Sequence, residues 1–381
     1  MTNGATETDH ELPLIASVDG GKLDDGIALC LSGGGYRAML FHAGTLWYLN
    51  DAGFLSKLAR VSSVSGGSIT AAVLATRWKS LNFASDGRAY AFEESVIAPL
   101  RTMAGTTIDV GSILSGVFWF GSVSDNVIKH YRRILFGDRT LQDFPDAPRF
   151  VINATNVQTG SLFRFSKPYL ADWQIGIADN PRRLVAEAVA ASSAFPPVLS
   201  PVTLRFEPGE FARAIGPCNR KPFSTEVVLT DGGVYDNMGI ETAWKRCRTI
   251  LVSDAGGHIQ PEAKPHYDWA RHAVRISAVI DSQVRALRKR QIVSAFESGI
   301  RTGAYWGMWT DPGDYPAPSS LTVPADRGRL LAETPTRLAA MEPRLIDQII
   351  NFGYAMAERA IRSYYAPDAH AATRFPYPGG I

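Results

Sequence analysis

"GIALCLSGGGYRAMLFHAGTLWYLNDAG" (residues 26–53) decides the fold. Its first part is an apolar run of strand length that ends in three glycines, which reads as a buried strand entering a sharp loop. From Tyr36 onward the apolar residues fall at helical spacing: Met39, Leu40, Ala43, Leu46 and Trp47. Asn50 and Gly53 close that helix. The next stretch repeats the pattern. "ARVSSVSGG" (59–67) is a second strand and turn, and "SITAAVLATRW" (68–78) is a second helix. Strand, glycine loop, helix, strand, serine turn and helix make a βαβα unit, so a parallel sheet with helices on both faces is expected.

Beyond it, "RFVINATNVQTGSLFRFS" (149–166) alternates around a turn and predicts a β-hairpin. "RRLVAEAVAASSAFP" (182–196) is a helix stopped by Pro196 and Pro197. "TEVVLTDGGVYDN" (225–237) and "TILVSDAGG" (249–257) are further strands ending in turns. Helices are expected over 276–300 and 336–365. Residues 1–24 read as a polar, flexible tail. Residues 25–260 are expected to form an α/β core, with a less regular insertion around 80–148, and 261–381 a helical extension packed on it. Phe118, Trp119 and Phe120 in the insertion are core under a loop or, less simply, an apolar lid near a lipid site.

Composition narrows the function. The 381-residue chain is 45% hydrophobic and 20% charged, enough for a large core. Lys+Arg 39 against Asp+Glu 37 gives a net charge of +2, which argues against a nucleic-acid partner. The three cysteines, Cys30, Cys218 and Cys247, form no CxxC pair, so neither a zinc ribbon nor a disulfide framework is expected. No metal or other cofactor is expected. The N-terminus carries no secretory pattern and no apolar run reaches spanning length. A cytoplasmic protein with peripheral membrane contact is the expectation; the oligomeric state is not legible.

Two glycine-rich turns carry chemistry. Gly33, Gly34 and Gly35 can bring backbone N–H groups close to negative charge, as an oxyanion hole or as a phosphate cradle. "GGGYRA" also fits G-x-G-x-x-[GA] with Asp51 downstream, a weak dinucleotide fingerprint. "SVSGG" (63–67) fits the nucleophile elbow G-x-S-x-G with Ser63 in place of the first glycine, which centres Ser65 ahead of Gly66 and Gly67. Ser62, Ser63 and Ser68 are then packing and capping residues. For the proton acceptor two candidates stand. His258 follows the strand-end "SDAGG" and would complete the order Ser65…Asp231…His258 of an α/β-hydrolase triad. Alternatively Asp231, at a strand end before Gly232 and Gly233, faces the serine directly, its basicity raised by a dry pocket.

"SGGGYRA", "SVSGG" and "DGGVYDN", in that order, resemble the patatin-like phospholipases and, in the first two motifs, the cytosolic phospholipase group. The resemblance covers most of residues 26–257 and extends to "YWG" (305–307) and "GYAMAERAI" (353–361). It implies a three-layer α/β/α fold with a mostly parallel central sheet and added C-terminal helices. It implies a lipid acyl hydrolase of the phospholipase A or lysophospholipase type, with Ser65 as nucleophile and Asp231 as base. Gly33, Gly34 and Gly35 form the implied oxyanion hole, Gly34 and Gly35 supplying N–H groups and Gly33 shaping the loop. Gly67, Gly232 and Gly233 support the motifs. Arg37 matches a basic position linked to substrate phosphate, against which stands a structural ion pair. Ala38 and Ser63 depart from the usual glycines. Two other readings stay open: a Ser-Asp-His esterase through His258, and a non-catalytic lipid- or dinucleotide-binding protein. The basic run "VRALRKRQ" (284–291) is a solvated helix face or a contact for anionic lipid head groups.

Overall fold

The computed structural model describes residues 23–108 and 120–381, with no side chains described at 120–122. The expected tail over 1–24 lies almost wholly outside them, as do Phe118, Trp119 and the side chain of Phe120. The alternation seen in the sequence builds β1 (Asp24–Leu31), helix α1 (Gly35–Asp51), β2 (Leu58–Val64) and helix α2 (Gly66–Arg77). β3 (Arg149–Asn156) runs parallel to β2 and turns into β4 (Ser161–Ser166) as the expected hairpin. β5 (Tyr169–Asp172), β6 (Gly176–Asp179) and β8 (Arg213–Ala214) continue as an antiparallel meander. Helix α3 (Val185–Ser192) and β7 (Val202–Arg205) lead to β9 (Glu226–Asp231). β10 (Cys247–Asp254), the long helix α4 (Trp269–Glu297), β11 (Thr302–Gly307) and helix α5 (Pro343–Tyr364) complete the chain.

The central sheet is mixed. Five strands in the order β11-β10-β1-β2-β3 are parallel, and β4-β5-β6-β8 extend it in antiparallel sense. Alternation along β1 feeds two cores, because successive side chains of a strand point to opposite faces. Leu29 and Leu31 join the larger core with α1, α2 and α5. Ala28 and Cys30 join a smaller one with Trp244 and the C-terminal end of α4 through Ile292 and Ala295. Helices therefore cover both faces, giving three layers. The region after residue 260 does more than add helices: β11 pairs with β10 from Thr302 to Gly307. Helix α5 lies so close to α1 that a Cβ on Gly44 would sit 1.9 Å from the Ile350 carbonyl oxygen, so glycine is needed at that crossing.

One register detail places the site. β2 pairs with β3 from Arg60↔Arg149 to Val64↔Asn153. β9 approaches antiparallel and pairs with the continuation of β3 from Ala154↔Asp231 to Asn156↔Leu229. β4 occupies the other edge of β3. β2 and β9 thus share one edge of β3 and meet end to end. The turn after Val64 and the end of β9 fall at neighbouring positions, although 166 residues separate Ser65 from Asp231 in the chain.

Candidate active site

Ser65 stands between β2 and α2 with φ 52 and ψ −120, one of three non-glycine residues with positive φ among the described residues. A side chain held there is strained, by roughly 1–3 kcal/mol, and persists only where surroundings enforce it. The enforcement is visible. The Ser65 N–H donates to Ser192 Oγ at 3.0 Å, and the Ser192 hydroxyl donates to the Asn153 carbonyl at 2.6 Å. Ser68 Oγ lies 2.9 Å from Ser192 Oγ and 3.0 Å from Ser63 Oγ. Asn153 Nδ2 donates to Ser62 Oγ and to the Ser63 carbonyl, each at 3.0 Å. The surplus serines of the motif form a buried polar bed beneath the elbow. Ser63, where a glycine is usual, fits because its hydroxyl belongs to that bed. Ser68 is not a cap, since α2 already begins at Gly66.

The glycines are set by close approach. A Cβ on Gly66 would lie 2.2 Å from the Gly35 carbonyl oxygen, and one on Gly67 2.5 Å from that of Leu31. The serine elbow therefore rests directly on the glycine loop. Gly33 donates its N–H to the Asn237 carbonyl at 3.0 Å, so it shapes the loop. The N–H groups of Gly34 (φ 143) and Gly35 (φ 62) have no acceptor among the described residues. Underneath, buried His42 holds the loop. Its Nε2 is 2.9 Å from the Ser32 carbonyl, which only accepts, so that nitrogen carries the proton and Nδ1 accepts from the Ser253 hydroxyl at 2.9 Å. Burial lowers the His42 pKa to about 4, keeping the ring neutral. The same Ser32 carbonyl accepts the Gly67 N–H at 3.1 Å, tying elbow to loop.

Asp231 is 3% exposed. Its Oδ1 accepts the Gly233 N–H at 2.7 Å, its N–H donates to the Ala194 carbonyl at 3.0 Å, and Thr155 Oγ1 donates to its carbonyl at 2.8 Å. Burial raises its pKa to about 7; the Gly233 N–H and the Ser65 hydroxyl oppose that rise, and the Asp281 carboxylate adds to it. A carboxyl poised near neutrality beside a strained serine has the properties of a general base. Gly232 and Gly233 lie where a Cβ would meet the Asn153 carbonyl oxygen at 2.3 Å and Asn237 Oδ1 at 2.6 Å. Asn153 and Ser192 escaped the sequence reading, since no local pattern marks them, and sequence alone gave His42 no partner.

Other expected site residues lie elsewhere. Among the described residues no histidine is hydrogen-bonded to Ser65 or Asp231. His258 stacks edge-on against Trp309, with centroids 5.2 Å apart, and lines a cavity of about 520 Å³ that Arg37 and Gly257 also line. Arg37, expected either at a substrate phosphate or in an ion pair, borders the same cavity with its guanidinium engaged by backbone. It is 3% exposed, and its guanidinium donates to the carbonyls of Ala332 (2.9 Å), Thr334 (2.6 Å) and Ala255 (3.0 Å). It straps the C-terminal segment to the glycine loop, and among the described residues it forms no ion pair. Within the run 284–291 two cations turn inward, Arg285 facing Asp254 at 3.5 Å and Arg288 facing Asp236 at 3.6 Å, while Lys289 lies over Tyr305, and Leu287, Lys289 and Arg290 are exposed. Asp51 ends α1, where Tyr354 donates to it at 2.9 Å, a helix length from the glycine loop and not at a strand end as a ribose contact requires.

Comparison with known proteins follows the geometry. No curated protein sequence matches the chain. Among solved structures, human GIVD cytosolic phospholipase A2 is 13% identical with a TM-score of 0.39, covering 60% of this chain and 45% of its own. VipD from Legionella pneumophila is 14% identical with a TM-score of 0.36, covering 90% of this chain and 68% of its own. The chain thus spans under half the length of the human structure. The patatin-like phospholipase family model matches residues 29–244, more than half of the chain and the span that holds the glycine loop, Ser65 and Asp231. With that match, the chain belongs to the patatin-like phospholipase family.

Proposed function

We propose that this protein hydrolyses carboxylic esters of lipids or phospholipids through a Ser65–Asp231 dyad. The observation that carries the reading is the meeting of β2 and β9 on one edge of β3, which brings a strained serine and a buried carboxylate together. Ser65 Oγ attacks the ester carbonyl carbon while Asp231 accepts its proton. The N–H groups of Gly34 and Gly35 stabilise the oxyanion that forms. Collapse expels the alcohol, which takes the proton from Asp231 and leaves an acyl-serine. Water then enters, gives a proton to Asp231 and attacks the acyl carbon; Ser65 regains its proton and a fatty acid leaves. Every step uses side chains and backbone of this chain.

A pKa near 7 suits both halves of the cycle, since the carboxylate must accept and return one proton per step. The histidine-based alternative has less support, because His258 lies against Trp309 and no histidine among the described residues is hydrogen-bonded to Ser65 or Asp231. The test is hydrolysis of a lipid panel followed by mass spectrometry. Ser65→Ala and Asp231→Ala should each lose hydrolysis of every substrate the native protein cleaves; full turnover in either variant would sink the dyad.

A further inference from the structure

The N-terminal half of α4 is exposed on nearly every side, from Trp269 to Asp281. Yet it carries large apolar residues in open solvent: Trp269 is 86% exposed, Ile276 45%, Ile280 58% and Leu287 58%. At 100° per residue these four fall on one stripe, roughly 27 Å long at about 1.5 Å rise per residue. Arg290 lies about 60° from that stripe, and Arg271, Arg275 and Lys289 lie about 120–160° from it on the same side, where Arg271 pairs with Asp268 and Arg275 with Glu262. Asp281 is the single acidic residue between Trp269 and Glu297, and it lies on the other flank, toward the core. An apolar stripe with a tryptophan at its end and cations on the polar side is the pattern of a helix that lies in a lipid interface.

Position supports that occupant over a protein one. The short helix Gly233–Asp236, which follows Asp231 directly, packs on α4, and Asp236 faces Arg288 there. Its Val234 is 57% exposed. On the other side of Asp231, the Ala194 carbonyl accepts the Asp231 N–H, and the next residue, Phe195, is 61% exposed. Val234 and Phe195 thus present bare apolar side chains on the two segments that flank the carboxylate, and α4 packs against the first of those segments. A second copy paired along the α4 stripe would cover the helix and leave Val234 and Phe195 bare; a lipid surface takes all three.

We propose that the exposed stripe of α4, together with Val234 and Phe195, docks the protein on an anionic lipid surface with the Ser65–Asp231 site facing it. This rests on the lipid acyl hydrolase reading and names the surface that delivers the substrate. No helix among the described residues is long and apolar enough to cross a membrane, so the contact is peripheral.

The test uses the full chain carrying Ser65→Ala, so that lipid is not consumed. Its co-sedimentation with phosphatidylcholine vesicles containing about 30% phosphatidylserine is measured with and without Ile276→Glu/Ile280→Glu. The double change should weaken binding roughly tenfold or more with an unchanged melting temperature. With Ser65 intact, the same double variant should keep fluorophosphonate labelling and hydrolysis of a soluble short-chain ester within about twofold of the native protein. Arg271→Glu/Arg290→Glu should weaken binding to the anionic vesicles alone. Unchanged binding in the isoleucine double variant overturns the proposal. So does a solution dimer that this variant dissociates while vesicle binding persists, which assigns the stripe to a second copy. Stripe-dependent vesicle binding by a protein that cleaves no ester and takes no label supports the docking surface and overturns the hydrolase reading instead.

Discussion

Asp231→Asn should make the protein more stable, and by an amount that depends on pH. Burial moves the Asp231 carboxyl from its ordinary 3.8 to about 7. Between those values the unfolded chain has released this proton while the folded chain still holds it. Stability of the native protein therefore falls as pH rises through that window. At about 1.4 kcal/mol per tenfold change, the loss reaches on the order of 4 kcal/mol above neutral pH. Asparagine has no proton to release, so the variant lacks this slope. Its amide adds a buried donor, a penalty that does not change with pH. The readout is thus the difference between variant and native unfolding free energies, from urea titrations at several pH values. That difference should be small or negative near pH 4, rise to about pH 7 and then level off. Parallel stability curves from pH 4 to 8 would refute the claim that Asp231 is held protonated by its site.

Three further outcomes test individual assignments. His258→Ala should leave kcat/KM for a short-chain ester within about threefold of native, measured by steady-state kinetics. Arg37→Ala leaves three carbonyls without their donor, and thermal or urea unfolding should register a loss of roughly 2–4 kcal/mol. Its effect on phosphate-bearing and neutral esters should be equal; a loss confined to phospholipids would restore a phosphate contact. Gly66→Ala places a methyl group 2.2 Å from the Gly35 oxygen, so the loop must shift and kcat should fall about 100-fold or more.

What the sequence made legible is local. Gly33–Gly35 and Ser65 announce themselves because a sharp turn between strand and helix needs small residues in sequence, whatever surrounds it. Asp231 stood out through its glycine pair. Why it meets Ser65 was not legible, since that depends on β9 taking over the edge of β3 where β2 stops. The same limit explains Arg37, Arg285 and Arg288. Their charges are visible in sequence, but their partners are carbonyls and carboxylates brought in from distant strand ends. β11 lay in a region read as helical because "YWG" is too short to show alternation, and its pairing with β10 makes it a strand. His42 looked like one more residue on an apolar helix; only the fold puts Ser32 and Ser253 on its two nitrogens.

The dyad itself is tested most directly by the pH dependence of covalent labelling. A fluorophosphonate probe is allowed to react across pH 5 to 9, and the adduct is located by peptide mass mapping. The account predicts one modified residue, Ser65, with a labelling rate that climbs through about pH 7 and then levels off. Asp231→Asn should slow labelling about 1000-fold and flatten its pH profile. An adduct on a different residue, or an Asp231→Asn protein that keeps the native rate and profile, would contradict it.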